Sequence, residues 1–291
     1  MNLESSMKNL KLALAVTSIA SISSAHALTI TYNDFSNLSA FQQNGATATI
    51  PDPTTDNLGR NVLRLTNNLG QSGSAFLTNP INLANQASFS TYFTFRISNP
   101  LGSSDSDGQG ADGIVFVVQT VSNTSGGAGG GIGYQGIQKS VGVEFDTWDN
   151  GSSSNDPNGN HIGIDLNGGF NGPTAMIGTR MNNGADWFAW VDYNGNTKDI
   201  EVRLSQTNTR PTAATLTRNA DLVSTLGQTN AFIGFTSGTG AAGGFHDIVS
   251  WQFEDDFRPI DPNNTVPEPG VLSLLGLGAF GLMASRRRRT A

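Results

Sequence analysis

Apolar and polar residues alternate along much of the middle of this chain. Between residues 89 and 97, Phe89, Thr91, Phe93, Phe95 and Ile97 alternate with Ser90, Tyr92, Thr94 and Arg96. A period of two residues is typical of a strand that buries one face. The continuous apolar run Ile114–Val118 has the length of a strand that is buried on both faces.

Two later segments predict further strands. Near the end of the middle region, Val249, Trp251 and Phe253 alternate with Ile248, Ser250 and Gln252. The segment Trp190–Tyr193 is followed by Asn194-Gly195 and then by Ile200, Val202 and Leu204. An Asn-Gly pair readily adopts the positive φ angles of a tight turn, so this segment predicts a hairpin.

The segments between these strands are rich in glycine, serine and asparagine. They cover residues 102–110, 122–133, 151–160 and 237–244, and a strand pattern resumes soon after each one. No segment of the middle region keeps a long apolar period of 3.6 residues. We therefore predict an all-β protein, an antiparallel β-sandwich whose loops project from one scaffold and carry the function.

Composition and charge remove several classes of function. The 291 residues include 35 glycines and no cysteine, and 13% of them are charged, against about 25% in an average protein. Without cysteine the chain has no disulfides, thiolate metal sites, iron–sulfur clusters or cysteine nucleophile. The net charge of −7 argues against nucleic acid as a partner.

The N-terminal end has the layout of an export signal. Lys8 and Lys11 precede an apolar stretch, Leu12–Ile22, and Ala25-His26-Ala27 supplies small residues for cleavage. This order predicts a secretory signal peptide over residues 1–27. Translation could begin at Met1 or at Met7.

The C-terminal end carries three elements in order. Val266-Pro267-Glu268-Pro269 is followed by the apolar run Gly270–Ala284 and by Arg286–Arg289. The run is shorter than the about 20 residues of a typical membrane span, and the arginines favour the cytoplasmic side. The three elements resemble the PEP-CTERM sorting signal of Gram-negative bacteria. The alternative is an ordinary C-terminal membrane anchor.

The resemblance of the C-terminal end implies where the protein is delivered. An exosortase-type enzyme would remove the tail, which would contact the membrane only transiently, and the protein would act at the cell surface or outside the cell. We accordingly divide the chain into a signal peptide (1–27), a sandwich domain (28–258), a linker (259–265) and a sorting signal (266–291).

Candidate chemistry is concentrated between residues 141 and 167. If Val141–Trp148 is a strand, Glu144, Asp146 and Trp148 point to one face. Two neighbouring carboxylates on one face are costly unless a cation lies between them. The following loop adds Asn150 and Asp156, and a second strand begins near His161. Oxygen ligands suit Ca²⁺, and carboxylates with one imidazole suit an ion like Mn²⁺, so we predict a two-metal site.

This stretch resembles the metal-binding segment of the legume-type (L-type) lectins. The shared order is Glu-x-Asp-x-aromatic-x-Asn, then Asp-Pro, then His-Ile-Gly-Ile-Asp. The resemblance implies a concanavalin-like jelly roll with two metal ions. By position, the transition metal would be held by Glu144, Asp146, Asp156 and His161. Calcium would be held by Asp146, Asp156, Asn150 and the carbonyl of Trp148.

The resemblance extends to the loops that bind sugar in that family. Gly110-Ala111-Asp112-Gly113 resembles the loop whose aspartate follows a cis peptide and accepts hydrogen bonds from sugar hydroxyls. Gly129-Gly130-Gly131 resembles the family's glycine loop, whose backbone N–H meets the sugar. Gly238–Gly244 resembles the last of the family's sugar-binding loops. The carbohydrate-binding residues implied are Asp112, Gly130, Gly131, Trp148 and Asn150. The expected function is metal-dependent carbohydrate binding without enzymatic activity.

Two alternatives stay open. Glu144-Phe-Asp146-Thr-Trp-Asp149 is close to the motif of a jelly-roll glycoside hydrolase, which needs its acids on one face, whereas Asp149 would point to the other. A structural surface or matrix protein could keep the metals and have a vestigial sugar site.

Two other features have simpler interpretations. Asp105-Ser-Asp107-Gly108 is interpreted as a solvated turn, because it lacks the distal glutamate of a calcium loop. His246 is interpreted as a structural residue at the start of a strand.

Overall fold

Two antiparallel sheets packed face to face form the domain in a computed structural model that describes residues 28–52, 59–123 and 129–263. The signal peptide, the sorting signal and the last two linker residues lie outside these ranges. The first sheet contains eight strands: β1 (Thr29–Tyr32), β3 (Ala48–Pro51), β4 (Asn61–Thr66), β7 (Phe89–Gly102), β14 (Asp186–Asn194), β15 (Asp199–Ser205), β16 (Leu216–Asn219) and β18 (Ala242–Glu254).

The second sheet also contains eight strands: β2 (Phe41–Gly45), β5 (Ser72–Leu77), β6 (Ile81–Asn82), β10 (Gly113–Gln119), β11 (Ser140–Asp146), β12 (His161–Leu166), β13 (Thr174–Met176) and β17 (Asn230–Gly238). A two-stranded hairpin, β8 (Ser104–Asp105) and β9 (Gly108–Gln109), projects beside it. Short 3-10 turns cover Ala84–Gln86, Gly129–Gly131 and Ser152–Ser154, and one short α-helix, α1, covers Leu222–Leu226. Within the described residues no helix is long and apolar enough to cross a bilayer.

Aromatic rings from both sheets fill the space between them. Phe93 of the first sheet lies 5.0 Å from Phe235 and 5.6 Å from Phe145 of the second, measured between ring centroids. Trp251 of the first sheet packs edge-on against Phe235 at 5.1 Å. Such rings contribute large buried apolar areas and favourable edge-to-face contacts. The predicted antiparallel sandwich is confirmed.

The period-two pattern at 89–97 and the apolar run at 114–118 both correspond to strands, but residues 89–97 are buried on both faces and not on one. Phe89, Phe93, Phe95 and Ile97 of β7 belong to the core. The run Ile114–Val118 lies inside β10, a central strand between β11 and β17, and is buried on both faces. Strand β11 ends at Asp146, two residues before the predicted end at Trp148.

The alternation predicted for β18 is wrong at one point. A register shift between Ile248 and Ser250 marks a bulge, so Ile248 joins Trp251 and Phe253 in the core between the sheets, whereas Val249 is buried outside that cluster. Strand β18 also begins at Ala242, and β17 runs to Gly238, so most of the predicted loop 237–244 is strand. His246 therefore lies inside a strand, with Nδ1 2.7 Å from the Thr66 hydroxyl.

The Asn-Gly turn is also corrected. Strands β14 and β15 are joined by four residues, 195–198, and the positive φ falls on Lys198 instead of Gly195. The Asn194 side-chain oxygen accepts hydrogen bonds from the Asn196 and Thr197 amides, and the Lys198 amide donates to the Asn194 carbonyl. Because the asparagine side chain organises the turn in this way, a longer connection is stable.

Candidate metal centre and neighbouring loops

Three buried side chains with metal-ligating atoms meet on the outer face of the second sheet. Asp146 of β11 pairs with His161 of β12, and Glu144 lies two residues before Asp146 on the same face. One ligand atom from each of the three lies within 4.8 Å of the others. Glu144 Oε1 crosses directly above Gly163, where an added methyl group would lie 2.1 Å from it, so the glycine makes room for the carboxylate.

The hydrogen bonding of His161 leaves one ring nitrogen available. Its Nδ1 lies 2.9 Å from the Asn158 carbonyl, which can only accept, so Nδ1 carries a proton and donates it. Nε2 then faces Glu144 Oε1 at 3.5 Å and Asp156 Oδ1 at 3.9 Å, and this buried atom has no hydrogen-bond partner. A carbonyl that fixes Nδ1–H and orients Nε2 is the usual arrangement for a metal-ligating histidine.

The electrostatics of the cluster favour a cation. Burial, together with the charges of Glu144 and Asp156, raises the pKa of Asp146 well above its usual range. Burial likewise raises the pKa of Asp156. Burial opposes protonation of His161, but Glu144 and Asp156 raise its pKa above the ordinary value. Buried carboxylates that face one another and an imidazole are stabilised when a divalent ion lies between them, and these residues fit such an ion.

The loop after β11 folds back over the cluster through its own carboxylates. Asp146 Oδ1 accepts a hydrogen bond from the Trp148 amide at 2.7 Å. Asp156 Oδ2 accepts one from the Asn150 amide at 2.6 Å. These bonds place Asp156 beside His161, with its side chain 4% exposed, while Trp148 is half-buried and Asn150 is exposed at the rim. The structure thus brings the six predicted metal ligands into one region.

Asp112 lies at the entrance to β10, beside this loop. The Ala111–Asp112 peptide is cis. The Asp112 amide donates to the Gly238 carbonyl, and the Asp112 carbonyl accepts from the Thr147 amide at 2.8 Å. Its carboxylate is buried, Oδ2 has no hydrogen-bond partner, and burial raises the pKa of Asp112 to about 7. The backbone therefore fixes a carboxylate whose free oxygen could accept a hydrogen bond from a ligand.

Three of the predicted sugar-binding residues, Asp112, Gly130 and Asn150, lie together. A methyl group added at Gly130 would lie 3.2 Å from Asn150 Oδ1 and 3.8 Å from Asp112 Oδ1, so these three residues line one small region. Gly240 of the last loop approaches Asp112 Oδ2 from another side, with an added methyl group at 4.0 Å. Gly131 is buried, and the atoms nearest to a side chain added there belong to Gln135.

Sequence reasoning missed several residues that hold this site in place. Asn160 donates to the Ile177 and Thr179 carbonyls and accepts from the Met181 amide, which ties the start of β12 to a neighbouring segment. Asn158 orients His161 through its carbonyl. The run of asparagines just before His161 was the available signal, because asparagine side chains commonly bond to backbone groups in loops.

Asp149 and Asp105 both accept hydrogen bonds from amides of the loop that follows β11. Asp149 lies beyond the end of β11, and its Oδ1 accepts from the Gly151 amide at 2.7 Å, so its carboxylate is engaged within the loop. The solvated turn predicted at Asp105 is wrong in part. The turn exists, but Asp105 is half-buried and its Oδ2 accepts a hydrogen bond from the Asp149 amide.

Comparisons with known proteins agree with this geometry. The legume lectin domain profile matches residues 27–269, and the PEP-CTERM protein-sorting motif matches residues 265–289. Lectin DB58 of Vigna unguiculata subsp. cylindrica is 28% identical over 91% of this chain and 95% of its own length. The L-type lectin-domain containing receptor kinase VIII.1 of Arabidopsis thaliana is 31% identical over 64% of this chain, which spans 27% of that kinase.

Solved structures show the same fold. Lectin II from Ulex europaeus superimposes with a TM-score of 0.62 at 26% identity, over 79% of this chain and 98% of that one. Basic winged bean lectin with Tn-antigen superimposes with a TM-score of 0.63 at 27% identity, over 78% of this chain and 98% of that one.

Proposed function

This chain belongs to the legume lectin domain family, and we propose that it is an exported protein whose carbohydrate site is organised by calcium and a transition metal ion. The observation that carries the proposal is the buried cluster Glu144, Asp146 and His161 beneath the loops that bring Asp112 and Asn150 together. The sandwich supplies a rigid base for both groups.

The metal residues would act on the shape of the loops. Glu144, Asp146, Asp156 and His161 would hold the transition metal, and Asp146, Asp156, Asn150 and the Trp148 carbonyl would hold calcium. When bound, the ions would supply positive charge that offsets the crowded carboxylates, without taking part in a reaction. Asn150 is exposed at the rim, so fixing its loop would fix the orientation of its amide.

A sugar would contact the rim of this site. Asp112 Oδ2 would accept a hydrogen bond from a hydroxyl, the Asn150 amide would donate to another, and the backbone of Gly130 would border the ring. Trp148 is half-buried, and its ring would provide an aromatic face for the C–H side of a sugar. These contacts would bind a sugar without reacting with it, and we propose no enzymatic activity.

The sorting motif indicates where the protein acts. A PEP-CTERM motif at residues 265–289 implies export and processing by an exosortase-type enzyme. We propose a Gram-negative source, a lectin-like domain over residues 28–258, a linker at 259–265, and action at the cell surface or in extracellular polysaccharide.

A structural surface protein with a weakened sugar site is the second candidate. The last loop supports it, because Thr239 is buried and bonded to the Asn68 carbonyl, and Gly240 and Ala241 offer no polar side chain. That loop can therefore contribute little specificity through side chains.

A glycan array separates the two candidates. The full chain, purified in detergent, is applied with Ca²⁺ and Mn²⁺ and again after EDTA treatment. We expect binding to a defined glycan class that is lost with the metals. The variant Asp112→Ala should lose glycan binding while its metal content stays at the wild-type level, and Asp107→Ala serves as the matched control.

Three results would count against parts of this proposal. Glycan binding that persists in the metal-free protein would contradict metal dependence. Wild-type affinity in the Asp112→Ala variant would move the sugar site elsewhere. A folded protein that holds both metals and binds no glycan would favour the structural surface protein.

A further inference from the structure

The hairpin β8–β9 lies against the loop that carries the metal residues. At its turn, Asp105 Oδ1 accepts hydrogen bonds from the Asp107 amide at 2.9 Å and the Gly108 amide at 3.1 Å. Its other oxygen, Oδ2, accepts from the Asp149 amide at 3.0 Å. One carboxylate therefore joins the hairpin to the first residue of the loop 149–160.

The same carboxylate also contacts the other end of that loop. A methyl group added at Gly159 would lie 2.2 Å from Asp105 Oδ2 and 3.3 Å from Asp107 Oδ2, so the glycine packs on the hairpin turn and most closely on the Asp105 carboxylate. Asp149 and Gly159 bracket Asn150 and Asp156, and Gly159 lies two residues before His161. Asp105 thus sits at the closure of the loop, where both of its ends meet.

The hairpin itself is anchored on its far side. The Arg180 guanidinium donates to the Gln109 carbonyl at 3.0 Å and lies directly over Gly108. Three residues after Gln109, the chain reaches Asp112. The anchor that holds the metal loop is therefore continuous with the segment that carries the predicted sugar-binding carboxylate.

We propose that Asp105 is a positioning residue for the metal loop, holding residues 149–160 closed so that Asn150 and Asp156 are in place when a cation binds. This inference rests on the proposed function, because it concerns the same metal site. Hydrogen bonds from backbone amides to a carboxylate are charge-assisted, and they are stronger than those between neutral groups. Outer residues that orient metal ligands commonly change metal affinity by about 10- to 100-fold.

Cation affinity is the first test. Isothermal titration with Mn²⁺ and with Ca²⁺ is applied to the chelated full chain and to its variants. We expect Asp105→Ala and Asp105→Asn to weaken binding by about tenfold or more. Asp107→Asn removes the same charge from the same hairpin and should change affinity by less than about threefold. Equal affinities for Asp105→Asn and Asp107→Asn would overturn the proposal, because charge alone would then explain the effect.

A second variant tests the contact from the other partner. In Gly159→Ala the new methyl group would displace the Asp105 carboxylate, so this variant should also weaken cation binding. In the double variant with Asp105→Ala the nearest obstacle is gone and only Asp107 Oδ2, at 3.3 Å, remains close to the methyl group. Gly159→Ala should then cost little more than Asp105→Ala alone. Fully additive effects would contradict a shared mechanism.

Amide hydrogen exchange in the metal-free protein separates this inference from the proposed function. The Asp149 amide should exchange faster in Asp105→Ala than in wild type or Asp107→Asn, while the amides of β10 and β17 remain protected. An unchanged rate at Asp149 would refute the positioning role. If the wild type takes up no cation but the Asp149 amide still depends on Asp105, the metal function fails and the positioning of the loop remains.

Discussion

Without bound metal ions, this domain should be more stable at pH 6 than at pH 8. Burial raises the pKa of Asp112 to about 7, and burial with the charge of Glu144 raises that of Asp165 to about 7, against an ordinary pKa of 3.8. Both groups gain a proton in the folded state between pH 8 and pH 6, whereas in the unfolded chain they remain ionised. Each contributes about 1.4 kcal/mol of stability over this interval, or about 2.7 kcal/mol together.

One buried histidine acts in the opposite direction. Burial lowers the pKa of His246 from 6.5 to about 3, so the unfolded chain gains a proton there that the folded protein does not. That difference costs the folded state about 0.8 kcal/mol between pH 8 and pH 6. The raised pKa values of Asp146 and His161 add to the stabilising side. The net gain is about 2 kcal/mol or more, which is about 4–8 °C in Tm for a domain of this size.

Thermal unfolding followed by circular dichroism in EDTA at pH 6, 7 and 8, at constant ionic strength, measures this gain. The variant Asp112→Asn removes one titrating carboxyl and should lose about half of the gain from the two aspartates. With saturating Ca²⁺ and Mn²⁺ the trend should reverse, because protons compete with the ions for the proposed ligands Asp146, Asp156 and His161. A metal-free Tm that is flat or falls from pH 8 to pH 6 would refute the reasoning.

Two further predictions concern the sandwich itself. Phe93→Ala removes a ring that contacts both sheets and should reduce the free energy of unfolding by about 3–5 kcal/mol in a urea titration; a loss below about 1 kcal/mol would show that the core closes around the cavity. Arg64→Met leaves the buried Asp247 carboxylate without its partner, and should cost about 3–5 kcal/mol in the same assay. The double variant Arg64→Met with Asp247→Leu should recover much of that loss, and no recovery would mean that the cost lies elsewhere.

Strand periodicity predicted the parts of the fold that depend on a single strand. The alternation at Phe89–Ile97 and the run Ile114–Val118 were sufficient to locate two strands. The alternation did not predict that the polar face of residues 89–97 is buried too, because that depends on what packs against it. The bulge at Val249 could not be predicted in the same way, since it appears only where β18 changes register against β7. The Asn194 turn depends on a side-chain bond that competes with the tight turn its sequence favours.

The metal cluster was predictable for a related reason. Glu144, Asp146 and His161 lie on two consecutive strands of one hairpin, so their order in sequence already sets their proximity. The role of Asp105 was not predictable in this way. Its hydrogen bond to the Asp149 amide joins residues 44 positions apart, through a hairpin that no periodic pattern predicted. Sequence reasoning thus predicted the residues of this cluster and missed those that hold the neighbouring loops in position.

The distribution of buried charge distinguishes the proposed metal end of the domain from the first sheet. In the first sheet, arginines neutralise buried carboxylates: Arg64 pairs with Asp247 at 2.7 Å, and Arg203 lies 3.3 Å from Asp192. At the metal end, the carboxylates of Glu144 and Asp146 instead face each other and His161. A permanent arginine there would satisfy the charges and close the site. In the proposed function a divalent ion would satisfy these charges instead, so the stability of the loop would depend on that ion. The same loop holds Asn150 at the rim beside Asp112.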